Sequence, residues 1–140
     1  MTALAVRLGS AEFGLPSEMV REVLRPAPLT RVPFPLPDVR GVAQVGGTVM
    51  AVLDLGTRLG MGPAAVPGRM VVVWGRGREP VGLLVDRVLG LVDTGGALAA
   101  PMEEAEAALP HGWLVGVVEP VPGRRIALLD LERVLGGEAR

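Results

Sequence analysis

The sequence predicts a mainly β protein, built as small barrels or a sandwich with a few short helices. Three observations carry that reading. Short apolar runs alternate with glycine- and proline-bearing turns along the whole chain. Gly (20 residues) and Pro (13) supply those turns, while 49% of the 140 residues are hydrophobic, enough to bury a core. A set of short motifs also recurs about 75 residues downstream of its first appearance.

The elements follow in order. Ala3–Leu8 alternates as a strand, Gly9–Ser10 turns it, and Ala11–Leu15 returns. Ser17 stands as a cap ahead of Met19, Val20, Val23 and Leu24, whose spacing predicts a short helix over Ser17–Leu24, stopped by Pro26 and Pro28. Pro26–Pro37 holds five prolines and reads as an extended connector. Val39–Val45 and Val49–Leu53 are strands joined at Gly46–Gly47. Asp54 caps a helical turn reaching Leu59, and Gly60–Gly68 is a loop. Met70–Trp74 and Val81–Val85 form another hairpin, extended by Val88–Val92. Asp93–Ala100 reads as loop and the Ala/Glu-rich Met102–Leu109 as helix. Trp113–Val118 and Ile126–Leu129 pair across Pro122–Gly123, and Asp130–Leu135 is a short helix ended by Gly136–Gly137.

Gly41-Val42, Gly47, Ala51, Leu53-Asp54-Leu55 and Leu59-Gly60 recur as Gly116-Val117, Gly123, Ala127, Leu129-Asp130-Leu131 and Leu135-Gly136. Gly14-Leu15 and Val23-Leu24 have looser counterparts in Gly82-Leu83 and Val88-Leu89. The chain, 1–140, therefore reads as one domain made of two related units, about residues 3–60 and 69–136. A unit of that size is marginal alone; two packed together would share a core and leave a groove.

Several function classes fall away. A net charge of −1 offers no field for nucleic acid or anionic membrane, and 3% aromatics are too few for base stacking. There is no Cys for a disulfide, thiolate site or nucleophile. The longest uncharged run, Gly41–Leu53, is shorter than the roughly 20 residues of a spanning helix. No secretory pattern opens the chain, which fits a cytoplasmic setting. His111 is the only histidine and has no second His or Cys to join it. Glu103, Glu104 and Glu106 fit a solvated helix face. Asp54 and Asp130, each in Leu-Asp-Leu, are explained as helix caps without catalysis. No enzyme motif, metal site or cofactor site emerges, and a grooved β protein of this kind suits binding.

The order Glu12-Phe13-Gly14-Leu15, Val20-Arg21-Glu22-Val23, Val39-Arg40-Gly41-Val42, Leu53-Asp54-Leu55, Val81-Gly82-Leu83-Leu84-Val85-Asp86-Arg87-Val88 and Ile126-Ala127-Leu128-Leu129-Asp130 resembles the CheW-like chemotaxis coupling domain, from about Leu4 to Leu135. The resemblance implies two SH3-like five-stranded β-barrel subdomains around a shared core. It implies a non-enzymatic, cytoplasmic adaptor joining chemoreceptor (methyl-accepting chemotaxis protein) cytoplasmic tips to the regulatory domain of a CheA-type histidine kinase in arrays. Other CheW copies are a further partner class; nucleic acid, membrane insertion, metals and cofactors are not expected. The receptor tip, an α-helical hairpin, would lie in the groove between the barrels. The partner-binding positions carried over are Val20, Glu22, Gly41, Gly47, Gly82, Val88 and Leu91. On this basis Gly41→Arg or Val88→Lys should abolish partner binding and leave the fold intact.

The chain also departs from the family pattern. Gln44-Val45-Gly46-Gly47 stands where Asn-Leu-Arg-Gly is usual, and Gly56 stands where an arginine follows the Asp-Leu pair. The first missing arginine would pair with the acid at Glu22. These departures raise the alternative of an accessory CheW-like protein that binds receptors or other CheW copies without engaging the kinase. An SH3-like nucleic-acid module is the more distant alternative.

Overall fold

A computed structural model describes residues 1–33, 38–64 and 68–136. The end of the proline connector (34–37), part of the loop after residue 60 (65–67) and the glycine expected to end the last helix (137) lie outside the described residues. The strands are β1 (Thr2–Leu8), β2 (Ala11–Pro16), β3 (Val20–Leu24), β4 (Val39–Val45), β5 (Thr48–Asp54), β6 (Arg69–Trp74), β7 (Pro80–Val85), β8 (Arg87–Asp93), β9 (Leu98–Ala100), β10 (Leu114–Val121) and β11 (Arg124–Leu129). The helices are α1 (Leu55–Arg58), α2 (Glu104–Ala107) and α3 (Leu131–Leu135).

Two sheets result, ordered β8-β1-β2-β11-β10-β9 and β3-β6-β7-β5-β4. This is the mainly β, two-barrel architecture expected, with β9 as a short addition to the first barrel. The halves of the sequence are not separate lobes, however. The first barrel takes β1 and β2 from the first half and β8, β10 and β11 from the second; the other barrel takes β6 and β7 from the second half and β3, β4 and β5 from the first. Parallel seams close the exchange: β2 pairs with β11 at Gly14↔Leu128, and β7 pairs with β5 at Gly82↔Val52. The other strand pairs are antiparallel.

Strand alternation then divides the apolar residues into layers. Leu4, Val6 and Leu8 of β1, Val71 and Val73 of β6, and Leu83 and Val85 of β7 enter one core shared by both barrels. Met70, Val72, Leu84, Val52 and Met50, on the opposite faces, fill the interior of the second barrel. Because consecutive residues of β6 are buried on both sides, that strand reads as a continuous apolar run.

Three expectations of local structure need correction, besides the pairing of Val88–Val92, which as β8 crosses to the other sheet and joins β1 and does not extend the β6–β7 hairpin. The helix over Ser17–Leu24 is a single 3-10 turn, Ser17–Met19, followed by β3. Ser17 caps nothing; its hydroxyl lies 2.6 Å from that of Thr2. β-Branched Val20 and Val23 suit a strand, and pairing with β6 satisfies backbone groups that a helix of only eight residues would leave open. The apolar spacing looked helical because the register shifts between Val20 and Glu22, so that Val20 packs on the shared core and Leu24 on the interior of the second barrel while Val23 stays exposed. Secondly, the loop Asp93–Ala100 contains β9, which pairs with β10. Thirdly, the helix at Met102–Leu109 shrinks to α2, where Glu106 accepts a hydrogen bond from the Glu103 backbone N–H at 2.7 Å.

Candidate functional site

Most polar groups singled out in the sequence hold the fold. Asp54 is buried and caps α1, its Oδ1 accepting from Thr57 N–H at 3.0 Å and its Oδ2 from Ala64 N–H at 3.2 Å. Asp130 caps α3 in the same way, accepting from Arg133 N–H at 3.2 Å. Both caps also donate alike: Asp54 N–H to Asp38 C=O, and Asp130 N–H to Trp113 C=O, each at 2.8 Å. Glu106 is taken up by Arg125 at 2.6 Å, while His111 is an exposed turn residue.

Arg58 ties the two barrels together. From α1 its guanidinium pairs with Asp38 at 2.9 Å, donates to the Val134 carbonyl of α3 at 3.0 Å and lies over the Trp113 ring at 5.2 Å. Only about a tenth of either charged side chain is exposed (10% and 12%), so this pair is a buried one. The sequence reading missed it, although the repeat carried a signal: Arg58 and Val134 occupy matching places in the two units.

The residues carried over as partner contacts fall into two groups. Val20, on β3, and Val88, on β8, pack half-buried against the shared core from the edge strands of the two sheets. They are paired alike, Val20 opposite Val73 and Val88 opposite Val6, and a register shift follows in both places. Three residues on, Val23 and Leu91 are exposed, Leu91 at 68%. Glu22 is half-buried and lies beside Arg21 at 3.7 Å. Arg21 in turn stacks on Trp74 at 5.3 Å.

The glycines differ. Gly47 is exposed in the two-residue turn between β4 and β5, where Gly46 and Gly47 have φ of 56° and 81° and no neighbour crowds their side-chain positions. Gly41 and Gly82 are buried. A Cβ on Gly41 would strike the Thr30 carbonyl, because Thr30 exchanges two 2.8 Å backbone hydrogen bonds with Val42 next door. A Cβ on Gly82 would lie 2.8 Å from Met70 Sδ. Internal packing accounts for both, and contrary to expectation Gly41→Arg does not leave the fold intact, because an arginine there must displace backbone. Gly56 is likewise closed over, since a Cβ would meet the Gly62 carbonyl and Met61 N–H donates to Gly56 C=O at 2.7 Å.

The structure is thus two barrels around one shared core, with apolar edge strands left partly open. The comparisons make the class specific. The CheW-like domain model matches residues 2–139. A probable chemotaxis protein CheW of Rhizobium etli is 32% identical over 130 residues, spanning 92% of this chain and 83% of that protein. Protein FrzA of Myxococcus xanthus is 35% identical over 133 residues, spanning 92% of this chain and 81% of that protein. The crystal structure of the scaffolding protein TtCheW from Thermoanaerobacter tengcongensis superposes with a TM-score of 0.80 over 99% of this chain and 94% of that one, at 20% identity, and so shares its fold. The chain belongs to the CheW-like domain family. Its class is that of the CheW-type chemotaxis adaptors.

Proposed function

We propose that this protein works as one CheW-like unit in the cytoplasm, coupling the cytoplasmic tips of chemoreceptors to the regulatory domain of a CheA-type histidine kinase. The observation that carries the reading is the family match along nearly the whole chain. The receptor tip binds at the edge strands, with Val20, Glu22, Val88 and Leu91 as contacts; Gly47 serves a second contact at its turn. Gly41 and Gly82 act indirectly, by keeping the backbone beneath those contacts in place. Among the described residues no helix is long and apolar enough to cross a membrane, consistent with a protein that reaches the receptor from outside the bilayer. The accessory reading, with receptor or CheW copies bound but not the kinase, is favoured by one feature. Gly46 and Gly56 offer no side chain where the family carries arginine, and Glu22 has Arg21 as its neighbour instead.

Co-purification of the tagged protein from its native cell tests both readings. Wild type should recover receptors together with the kinase, and Val88→Lys and Leu91→Asp should lose the receptors. Leu91 is exposed, so Leu91→Asp should alter stability by no more than about 0.5 kcal/mol. Undiminished receptor recovery by both variants would show that the edge strands are not the site. Receptors recovered without kinase would favour the accessory role.

A further inference from the structure

The internal duplication allows one barrel to be compared with the other, and they differ at one end. In the second barrel the end beside Gly82 is filled. Met70 Sδ and Val52 Cγ2 lie 2.8 and 3.3 Å from where a Gly82 Cβ would stand, and Leu84, opposite Met70, is buried. In the first barrel the matching glycine is Gly14, beside Leu128. There the residues matching Met70 and Leu84 are Ala3 and Pro16, also directly opposed. Both substitutions remove volume, which Leu128, standing in the place of Val52 with its Cδ2 2.7 Å from where a Gly14 Cβ would be, restores only in part. A cavity of about 380 Å³ opens at this end, floored by Ala3, Gly14 and Leu128.

The rim has a definite charge. Among the described residues Glu18, Asp130 and Glu132 line the cavity without an arginine, and the one cation lining it with them, the Met1 ammonium, lies 3.9 Å from Asp93. Asp130 is engaged by Arg133 at 3.4 Å. Among the described residues Glu18 and Glu132 are exposed and take part in no ion pair. An apolar floor missing a methionine-sized side chain, under a rim carrying two unpaired carboxylates, is complementary to an aliphatic side chain next to a cation.

We propose that this open barrel end is a docking pocket, separate from the edge-strand site, for a partner polypeptide that inserts an aliphatic side chain and places an adjoining arginine or lysine against Glu18 and Glu132. The inserted side chain does for this barrel what Met70 does for the other. The pocket opens where β1 and β2 meet the start of α3, so the proposal does not depend on the receptor or kinase reading.

The test uses the full chain and the dipeptide acetyl-Leu-Arg-amide, followed by amide chemical shifts in NMR. Saturable shifts at Gly14, Val115 and Leu128 are expected at concentrations of about 1–10 mM, the range for so small a ligand. Acetyl-Leu-Glu-amide should bind at least about fivefold more weakly. Ala3→Met, which installs the other barrel's residue, should abolish the shifts. The double variant Glu18→Gln, Glu132→Gln, changed only on the exposed rim, should weaken Arg-peptide binding and erase the preference between peptides, and it decides the matter if Ala3→Met does not fold. Absence of shifts at these residues, equal binding of the two peptides by wild type, or a preference kept by the double variant would overturn the proposal. Shifts at the same residues on raising protein concentration alone would overturn it in favour of a second copy of the chain.

Discussion

Arg58 and Asp38 show how much rests on single side chains. A buried ion pair is costly to desolvate, but removing one member leaves the other charge without compensation. Arg58→Ala should therefore destabilise by about 3–5 kcal/mol, a large share of a domain's usual 5–15 kcal/mol. Arg58→Ala combined with Asp38→Ala should cost clearly less than the sum of the single variants in urea titrations, and strict additivity would argue against the coupling. The two caps give a finer comparison. Loss of an N-cap costs roughly 0.5–2 kcal/mol. Asp54 is buried and serves two backbone donors, whereas Asp130 is partly exposed and caps one. Asp54→Ala should lie at or above the top of that range and Asp130→Ala in its lower half; the reverse order in thermal melts would contradict the burial argument.

At the scale of elements, the parallel seams depend on small residues. At Gly14 an added methyl would lie 2.7 Å from Leu128 Cδ2 and 3.2 Å from Ala3 Cβ, while at Gly116 on β10 it would meet nothing within 4 Å. Gly14→Ala should cost about 1–3 kcal/mol by overpacking, and Gly116→Ala should be close to neutral or slightly stabilising through the unfolded chain. Equal effects would mean that strand glycine content, not the seam, sets the cost. The edge strands β3 and β8 show a second element-level rule. Each carries a register shift next to its half-buried valine, which lets the following strand present Val23 or Leu91 outward.

The whole molecule is held together by exchange of strands between the halves of the sequence. A cut at the middle loop leaves two of the first sheet's six strands on one fragment and four on the other, and splits the second sheet's five strands three to two. Fragments 1–64 and 65–140 should each lack a cooperative melt alone and regain β structure and a single transition when mixed in equal amounts, as followed by circular dichroism. A cooperative transition from either fragment alone would show that the halves are independent after all. The same exchange explains why one core serves both barrels: Val6 and Val73 lie on sheets drawn from both halves and meet in a single apolar layer.

What could be read from the amino-acid order was whatever is encoded locally. The β class, most strands, the two Leu-Asp-Leu caps and the repeated motifs all rest on alternation, turn residues or short-range hydrogen bonds. β3 was misread because five residues around a register shift carry no clean period, and β9 because Leu98–Ala100 becomes a strand only through pairing with β10. The candidate site divided along the same line. The sequence pointed to Val20, Val88 and Leu91 by resemblance, but it could not separate a glycine turned to solvent, Gly47, from glycines packed under neighbouring chain, Gly41 and Gly82. Tertiary structure alone decided which half supplies each strand, that Arg58 spans both barrels, and that one barrel end is filled while its counterpart is open. Each of these depends on contacts between residues far apart in sequence, and local propensity carries no information about such contacts.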